Sequence, residues 1–427
     1  MIWPRVLLGT VADVQLGKML SPKAKTGVSS FPYLRNVNVQ WGRLDLVDVV
    51  EMDFDEDDRT KFALNRGDLL VCEGGEPGRC AVVDREMPGV FFQKALMRVR
   101  PRDGLVDTRF LQRFMEQAAR RGTFAKDGNR ATIAHFPAVK LNALEVPLPP
   151  LPEQRRIADI LDKADAVRRK RKEAIALTEE LLRSAFLEIF GDPVTNPKGW
   201  PVKPLGTFLS FITSGSRGWA EYYSDTGSRF IRSLDVQMDV ISDEEPAFVV
   251  APAGAEAERT RVSANDVLLT ITGSKIGRAA LVDDLHGGGY ISQHVAILRL
   301  LPGLAPDVLT AFLVSGRGGQ RLIAASQYGQ TKPGLNLEQI RRFPVPVPTQ
   351  DTQRQLRIAR AAIRDARRRQ AAALSQTDAL FAALVEGAFR GEPAPPTSKR
   401  QVGSVLEPTS VETCMAVASV SGRAAIR

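Results

Sequence analysis

The chain has 427 residues, of which 44% are hydrophobic and 25% charged, and it carries a formal net charge of +9. That length suits two to four folded units, and the composition excludes a disordered or fibrous chain. No apolar run approaches the roughly 20 residues that cross a bilayer, and Cys72, Cys80 and Cys414 lack both disulfide-framework and zinc-ligand spacing, so the reading is a modular cytoplasmic protein without a metal centre. The basic surplus favours a polyanionic partner through counterion release, although charge alone also fits an ordinary basic surface.

In chain order, Met1 to Gly9 reads as a first strand rather than a signal peptide, because its apolar stretch has no small-residue cleavage site. Glu51 to Asp58 holds six acidic residues in eight and is expected to face away from any polyanion. Short β-branched runs broken by glycine follow, such as Asp68 to Cys72, with one helix around Thr108 to Arg121. After the proline-punctuated Val146-Pro147-Leu148-Pro149, apolar residues from Glu153 to Phe190 recur at steps of three and four, including Ile157, Leu161, Ala164, Leu182 and Phe186. Gly191-Asp192-Pro193 and Asn196-Pro197-Lys198-Gly199 stop that helix.

The chain then repeats itself. Trp3-Pro4 with Leu8-Gly9-Thr10 returns as Trp200-Pro201 with Leu205-Gly206-Thr207, a shift of 197. Tyr33-Leu34-Arg35 returns as Phe230-Ile231-Arg232, and Gly67-Asp68-Leu69-Leu70 as Asn265-Asp266-Val267-Leu268. Gln93 is matched to Gln293. A second helical segment, with Leu356, Ile363, Leu374, Leu384 and Phe389, aligns with the first at a shift of 199 without a gap. Duplication at this period marks a repeated architecture. The expected fold is α+β: two mixed α/β globules joined by two long helices in an antiparallel coiled coil, with an internal pseudo-twofold repeat. The boundaries expected are residues 1–150, 151–191, 192–345 and 346–391, with a disordered tail over 392–427. About 38 helical residues make a rod of roughly 57 Å.

Leu148-Pro149-Pro150-Leu151-Pro152-Glu153-Gln154-Arg155-Arg156-Ile157, at the start of the first long helix, and Phe190-Gly191-Asp192-Pro193 with Asn196-Pro197-Lys198-Gly199-Trp200, at its end, resemble the specificity (S) subunits of type I restriction-modification systems, the HsdS family. The likeness covers roughly residues 5 to 390. At the second helix, Thr349-Gln350-Asp351-Thr352-Gln353-Arg354 keeps only the Gln-Arg pair. The resemblance implies two target-recognition domains that read a bipartite double-stranded DNA target, one half-site each, across a spacer of unspecified bases. It also implies two methylation subunits and restriction subunits as partners, which would bind the methyl donor and ATP, so that this chain needs no cofactor of its own.

Base reading needs side-chain forks such as Arg to guanine and Asn or Gln to adenine, whereas phosphate contact needs only positive charge. In the first domain the candidates are Lys18, Lys23, Lys25, Arg79, Lys126, Asn129 and Arg130. Those of the second are Ser216, Arg217, Lys275, Arg278, Gln330 and Lys332. For each, the bland alternative is a solvated surface group. Trp219, Tyr222 and Tyr223 could stack on bases, but packing in a hairpin is the better reading. Gly273 to Arg278 lacks the spacing of a phosphate-binding loop and reads as a tight turn carrying Lys275. Arg168 to Lys172 interrupts the helical seam and reads as a solvated face, or as contact with spacer phosphates or an acidic partner.

No Asn/Asp-Pro-Pro-aromatic methyltransferase tetrad is present, and His135, His286 and His294 form no helical metal pair; His135, beside Phe136, reads as structural. The reading is therefore a non-catalytic, metal-free recognition subunit. The alternatives are a coiled-coil scaffold without base specificity and a single-chain restriction enzyme.

Overall fold

Each globule is organised around a strand that is apolar on both faces, as strands covered on both sides are. In a computed structural model that describes residues 3–21, 26–124, 135–327 and 334–391, these strands are Leu69–Cys72 and Val267–Thr270, buried at every position. Each follows the same device. Gly67 and Asn265 take a left-handed backbone (φ +95° and +71°), tolerated best by glycine and next by asparagine. The aspartate after each is buried and grips an arginine of the neighbouring strand with both oxygens: Asp68 holds Arg100 at 2.7 Å and 2.7 Å, and Asp266 holds Arg299 at 2.8 Å and 2.8 Å. The repeated Gly/Asn-Asp-Leu/Val-Leu pattern is thus a scaffold clamp. The tail over 392–427 lies outside the described residues.

The described residues divide into two units, those within 3–172 with 372–391 and those within 173–371. In the first, the antiparallel sheet runs Ala12–Leu16, Leu96–Pro101, Leu69–Cys72, Cys80–Val82. A second sheet places Ser30–Leu34 between Val50–Asp53 and Phe91–Phe92, the last pairing being parallel. The second unit has the same order in Leu209–Ser214, Val295–Leu300, Val267–Thr270 and Ala279–Leu281. Its companion sheet pairs Ser228–Ile231 with Tyr290–Ile291 in parallel. In both, the first strand pairs with the last one before the long helix, Val6 with Val146 and Lys203 with Val345. Cys72 and Cys80 are free and buried, and burial pushes both thiols up.

The long helices run Leu151–Phe190 and Gln350–Arg390. In the first unit, Ile157, Ala158 and Leu161 share a core with Phe381, Val385 and Phe389, and Arg168 pairs with Asp378 at 2.5 Å. In the second, Arg367 meets Glu179 at 2.5 Å and the Thr178 hydroxyl meets the Gln370 amide at 2.8 Å. Within each unit the two helical segments therefore run antiparallel.

A buried glutamine seats each helix on its globule. Gln154 accepts from the Asp107 N–H (2.8 Å) and donates to the Leu105 and Pro149 carbonyls (3.1 and 2.8 Å). Gln353 accepts from the Ala305 N–H (2.7 Å) and donates to the Gly303 and Pro348 carbonyls, both at 3.0 Å. This is why glutamine survives in the second copy when the surrounding motif does not. At the far ends, where helices leave carbonyls without partners, tryptophans supply donors: the Trp200 indole N–H to Phe190 O (2.7 Å), and the Trp3 indole N–H to Ala388 O (2.9 Å).

The charge across the helix–globule seam is inverted between the units. In the first, the globule is basic and the helix acidic: Arg109 meets Asp159 at 2.8 Å, and Arg113 meets Asp162 at 2.8 Å and Asp165 at 3.4 Å. Burial opposes the Arg113 charge, but Glu116 and Asp162 hold its guanidinium firmly protonated. In the second, the helix is basic: fully buried Arg360 pairs with Asp239, and Arg364 with Asp307.

Candidate nucleic-acid interface

The end of the first sheet strand is fixed by close backbone crossing. A Cβ on Gly17 would lie 2.3 Å from the Gln93 carbonyl oxygen, and one on Gly215 would lie 2.4 Å from that of Ile291, so only glycine fits either position. The next residues bridge in parallel, Lys18 to Gln93 and Ser216 to Ser292. This corrects the sequence alignment. The counterpart of Gln93 is Ser292, and Gln293 falls at the position of Lys94.

Lys18 is held inside its globule: its ammonium donates to Asp53 O at 2.7 Å, pairs with Asp58 and sits 5.1 Å over the Phe54 ring. In the second unit the cation comes from the other side. Arg259 donates to Ser214 O (2.7 Å) and the Ser216 hydroxyl (3.0 Å), braced by Glu256 at 2.6 Å. Both contacts tie the strand end to a short helix, Glu56–Lys61 or Ala255–Thr260, which gives Lys18 and Ser216 a structural part. The acidic stretch is correspondingly turned partly inward. Asp53 accepts from the Thr26 hydroxyl (2.7 Å) and from the N–H groups of Ser29 and Gly27, both at 3.1 Å. The Thr26 hydroxyl bond, with the backbone N–H bonds of Ser29, Thr26 and Gly27, holds its carboxyl below the usual range.

The loop after the central strand differs between copies by one residue. Cys72 N bonds to Arg79 O and Thr270 N to Arg278 O, so eight residues in the first unit stand against nine in the second, with Ser274 extra. At the tip of the first, Glu76 takes the Trp41 indole N–H (2.6 Å) and Arg79 (3.1 Å), while Arg79 also donates to Asn36 O at 2.8 Å. At the matching place in the second, Lys275 is exposed and pairs with no acid among the described residues. Arg278 is bonded to Gln237. The N–H groups of Ile276 and Gly277 are taken by Gly273 O and Thr270 O, so this is a turn and not a phosphate cradle.

Arg217 is exposed and donates through Nε to Gln293 Oε1 at 3.1 Å. Lys23, Lys25, Lys126, Asn129, Arg130, Gln330 and Lys332 lie outside the described residues. Trp219 is buried, stacked on Phe230 at 5.2 Å and near Tyr290 at 5.2 Å, while Tyr223 is half exposed. His135 is exposed, and the packing expected of it falls to Phe136, edge-on to Phe124 at 4.7 Å. Arg168 joins the helical seam through Asp378 and the Phe381 face at 4.4 Å, leaving Arg169, Lys170 and Lys172 exposed. Sequence reasoning missed His294, whose Nδ1 lies 2.5 Å from the Thr272 hydroxyl and Nε2 3.1 Å from the Gln293 amide nitrogen.

Residues 3–177 match the type I restriction modification DNA specificity domain. The fold of the chain is similar to that of the S subunit of a type I restriction-modification system from M. genitalium, with 15% identity, a TM-score of 0.57, and 92% of this chain and 96% of that one covered. It is also similar to a chain solved in a study of complex assembly and conformational transition of the type I R-M system, with 19% identity, a TM-score of 0.53, and 92% and 98% covered. No curated protein matches it significantly. Among the described residues, no helix is long and apolar enough to cross a membrane.

Proposed function

We propose that this chain is the specificity subunit of a type I restriction-modification system, the non-catalytic DNA reader of its complex. Each globule takes one half of a bipartite double-stranded target, and the chain carries methylation and restriction subunits that bind the methyl donor and ATP. The observation that supports this reading most is that two copies of one scaffold keep their internal clamps while their exposed loop tips differ. Asp68 matches Asp266 and Gln154 matches Gln353, but engaged Glu76 stands where Lys275 is exposed and without an acid partner among the described residues. A pure scaffold has no use for divergent tips on matched frames, whereas a reader of two different half-sites does. The missing methyltransferase tetrad supports assigning the chemistry to partners.

The test is a chimera in which residues 200–345 are replaced by the equivalent domain of a relative that also carries acids at the places of Asp239 and Asp307. A genome-wide map of modified bases should show one half-site replaced and the other unchanged. Both half-sites changing together would sink independent reading, and a map indifferent to removal of this chain would sink the assignment altogether.

A further inference from the structure

We infer that Arg217, Gln293 and Thr272, aligned through His294, form the base-reading edge of the second globule, and that this edge selects a guanine. The inference rests on the proposal that the chain reads DNA and names the residues that would do it.

Three separate segments meet here: the turn after Leu209–Ser214, the turn before Val295–Leu300, and the loop after Val267–Thr270. They are joined by a directed chain of hydrogen bonds. Arg217 Nε donates to Gln293 Oε1 at 3.1 Å. That fixes the amide orientation, so Gln293 Nε2 donates to His294 Nε2 at 3.1 Å. The His294 proton therefore sits on Nδ1 and points at the Thr272 hydroxyl, 2.5 Å away. This assignment follows from the donor and acceptor inventory of the groups.

Three kinds of group are left without partners among the described residues: the two terminal nitrogens of Arg217, the second amide hydrogen of Gln293 and the hydroxyl hydrogen of Thr272. All are donors. In the major groove guanine offers two adjacent acceptors, N7 and O6, and arginine is the usual match. The chain of bonds restricts the rotamers of otherwise floppy exposed side chains, as a reading edge requires.

The other copy supplies the second argument. Superposing the units by their backbone bridges puts Met19 at Arg217, Lys94 at Gln293 and Ala95 at His294. Glycine, buried aspartate and buried glutamine are retained or conservatively replaced, yet these neighbouring positions all change chemistry at once. A solvated face has no reason to build an ordered chain of bonds in one copy and lack it in the other. Readers of different half-sites would diverge at these places.

The test maps modified bases in cells carrying the complete system, with this chain as wild type, as Arg217→Ala or as Gln293→Glu. We expect Arg217→Ala to relax a guanine at one position of one half-site and to weaken binding to the original target by roughly 10- to 100-fold, the discrimination of one bidentate contact. Gln293→Glu, which puts an acceptor where a donor stood, should alter the same half-site. If Arg217→Ala abolishes modification, selection of bound DNA from a random pool by the purified complex gives the same reading. An unchanged motif in both variants, or an altered position that is not guanine, overturns the inference but leaves the proposed function standing. A wild-type motif that does not depend on this chain overturns the function instead.

Discussion

Replacing Gln154 by leucine keeps the volume of the side chain and removes its polar end, and the cost can be worked from its three partners. The Asp107 N–H loses its acceptor at 2.8 Å, and the Leu105 and Pro149 carbonyls lose donors at 3.1 and 2.8 Å, at a fully buried position. A buried amide left without a partner costs ~1–3 kcal/mol, and a carbonyl costs less when it keeps another partner. The apolar surface of leucine offsets under ~1 kcal/mol. A net loss of about 2–3 kcal/mol follows, which in a unit of this size lowers the melting midpoint by roughly 5–10 °C. Hydrogen exchange gives the local readout. The Asp107 amide should lose protection while that of Ala305, held by Gln353 in the other unit, keeps it. Gln154→Glu adds a sign test. Its carboxylate would face two carbonyl oxygens, so its folded pKa is raised; the variant is most stable below the ordinary glutamate pKa and loses stability as pH rises through the raised one. Unchanged protection at Asp107 together with an unchanged midpoint would refute the reasoning.

Asp68→Asn should cost about 2 kcal/mol, the low side for a buried pair because Arg100 keeps contact with water; a urea midpoint shifted by less than ~0.5 kcal/mol equivalent would count against the clamp. Asp53 contributes stability above its ordinary pKa, because its folded pKa is lowered, and loses it as pH falls through that lowered value. Asp53→Asn should therefore flatten the acid limb of the stability curve of the first unit, and an equally steep limb in the variant would assign the acid sensitivity elsewhere.

The duplication was legible because the two copies keep the residues that fix their frames. Asp68 and Asp266 must grip an arginine, Gln154 and Gln353 must bridge strand to helix, and tryptophan must cap the end of each long helix. Contacts between distant segments were not legible. Nothing near Lys18 in sequence announces Asp58, forty residues on, and the same clamp is made by Arg259 from the opposite side. A shared glutamine misled the alignment at Gln93, since residue type agreed where the backbone register did not. Strand order was beyond reach because the strands are short and their partners remote. His294 escaped notice because its meaning lies in neighbours from two other segments.

The inverted charge of the helix–globule seams bears on how such a chain can change over generations. Recombination that imported a new second globule at residue 345 would set it against Arg360 and Arg364, and unless it brought carboxylates in place of Asp239 and Asp307, buried guanidinium groups would be left unpaired. That penalty is several kcal/mol, enough to remove most such hybrids. A breakpoint inside the long helices, near residues 172 and 371 where the units divide, imports the globule with its own matched stretch of helix. Successful exchanges in a lineage should therefore leave their scars in mid-helix, away from the proline-rich boundaries where the sequence itself suggests a join.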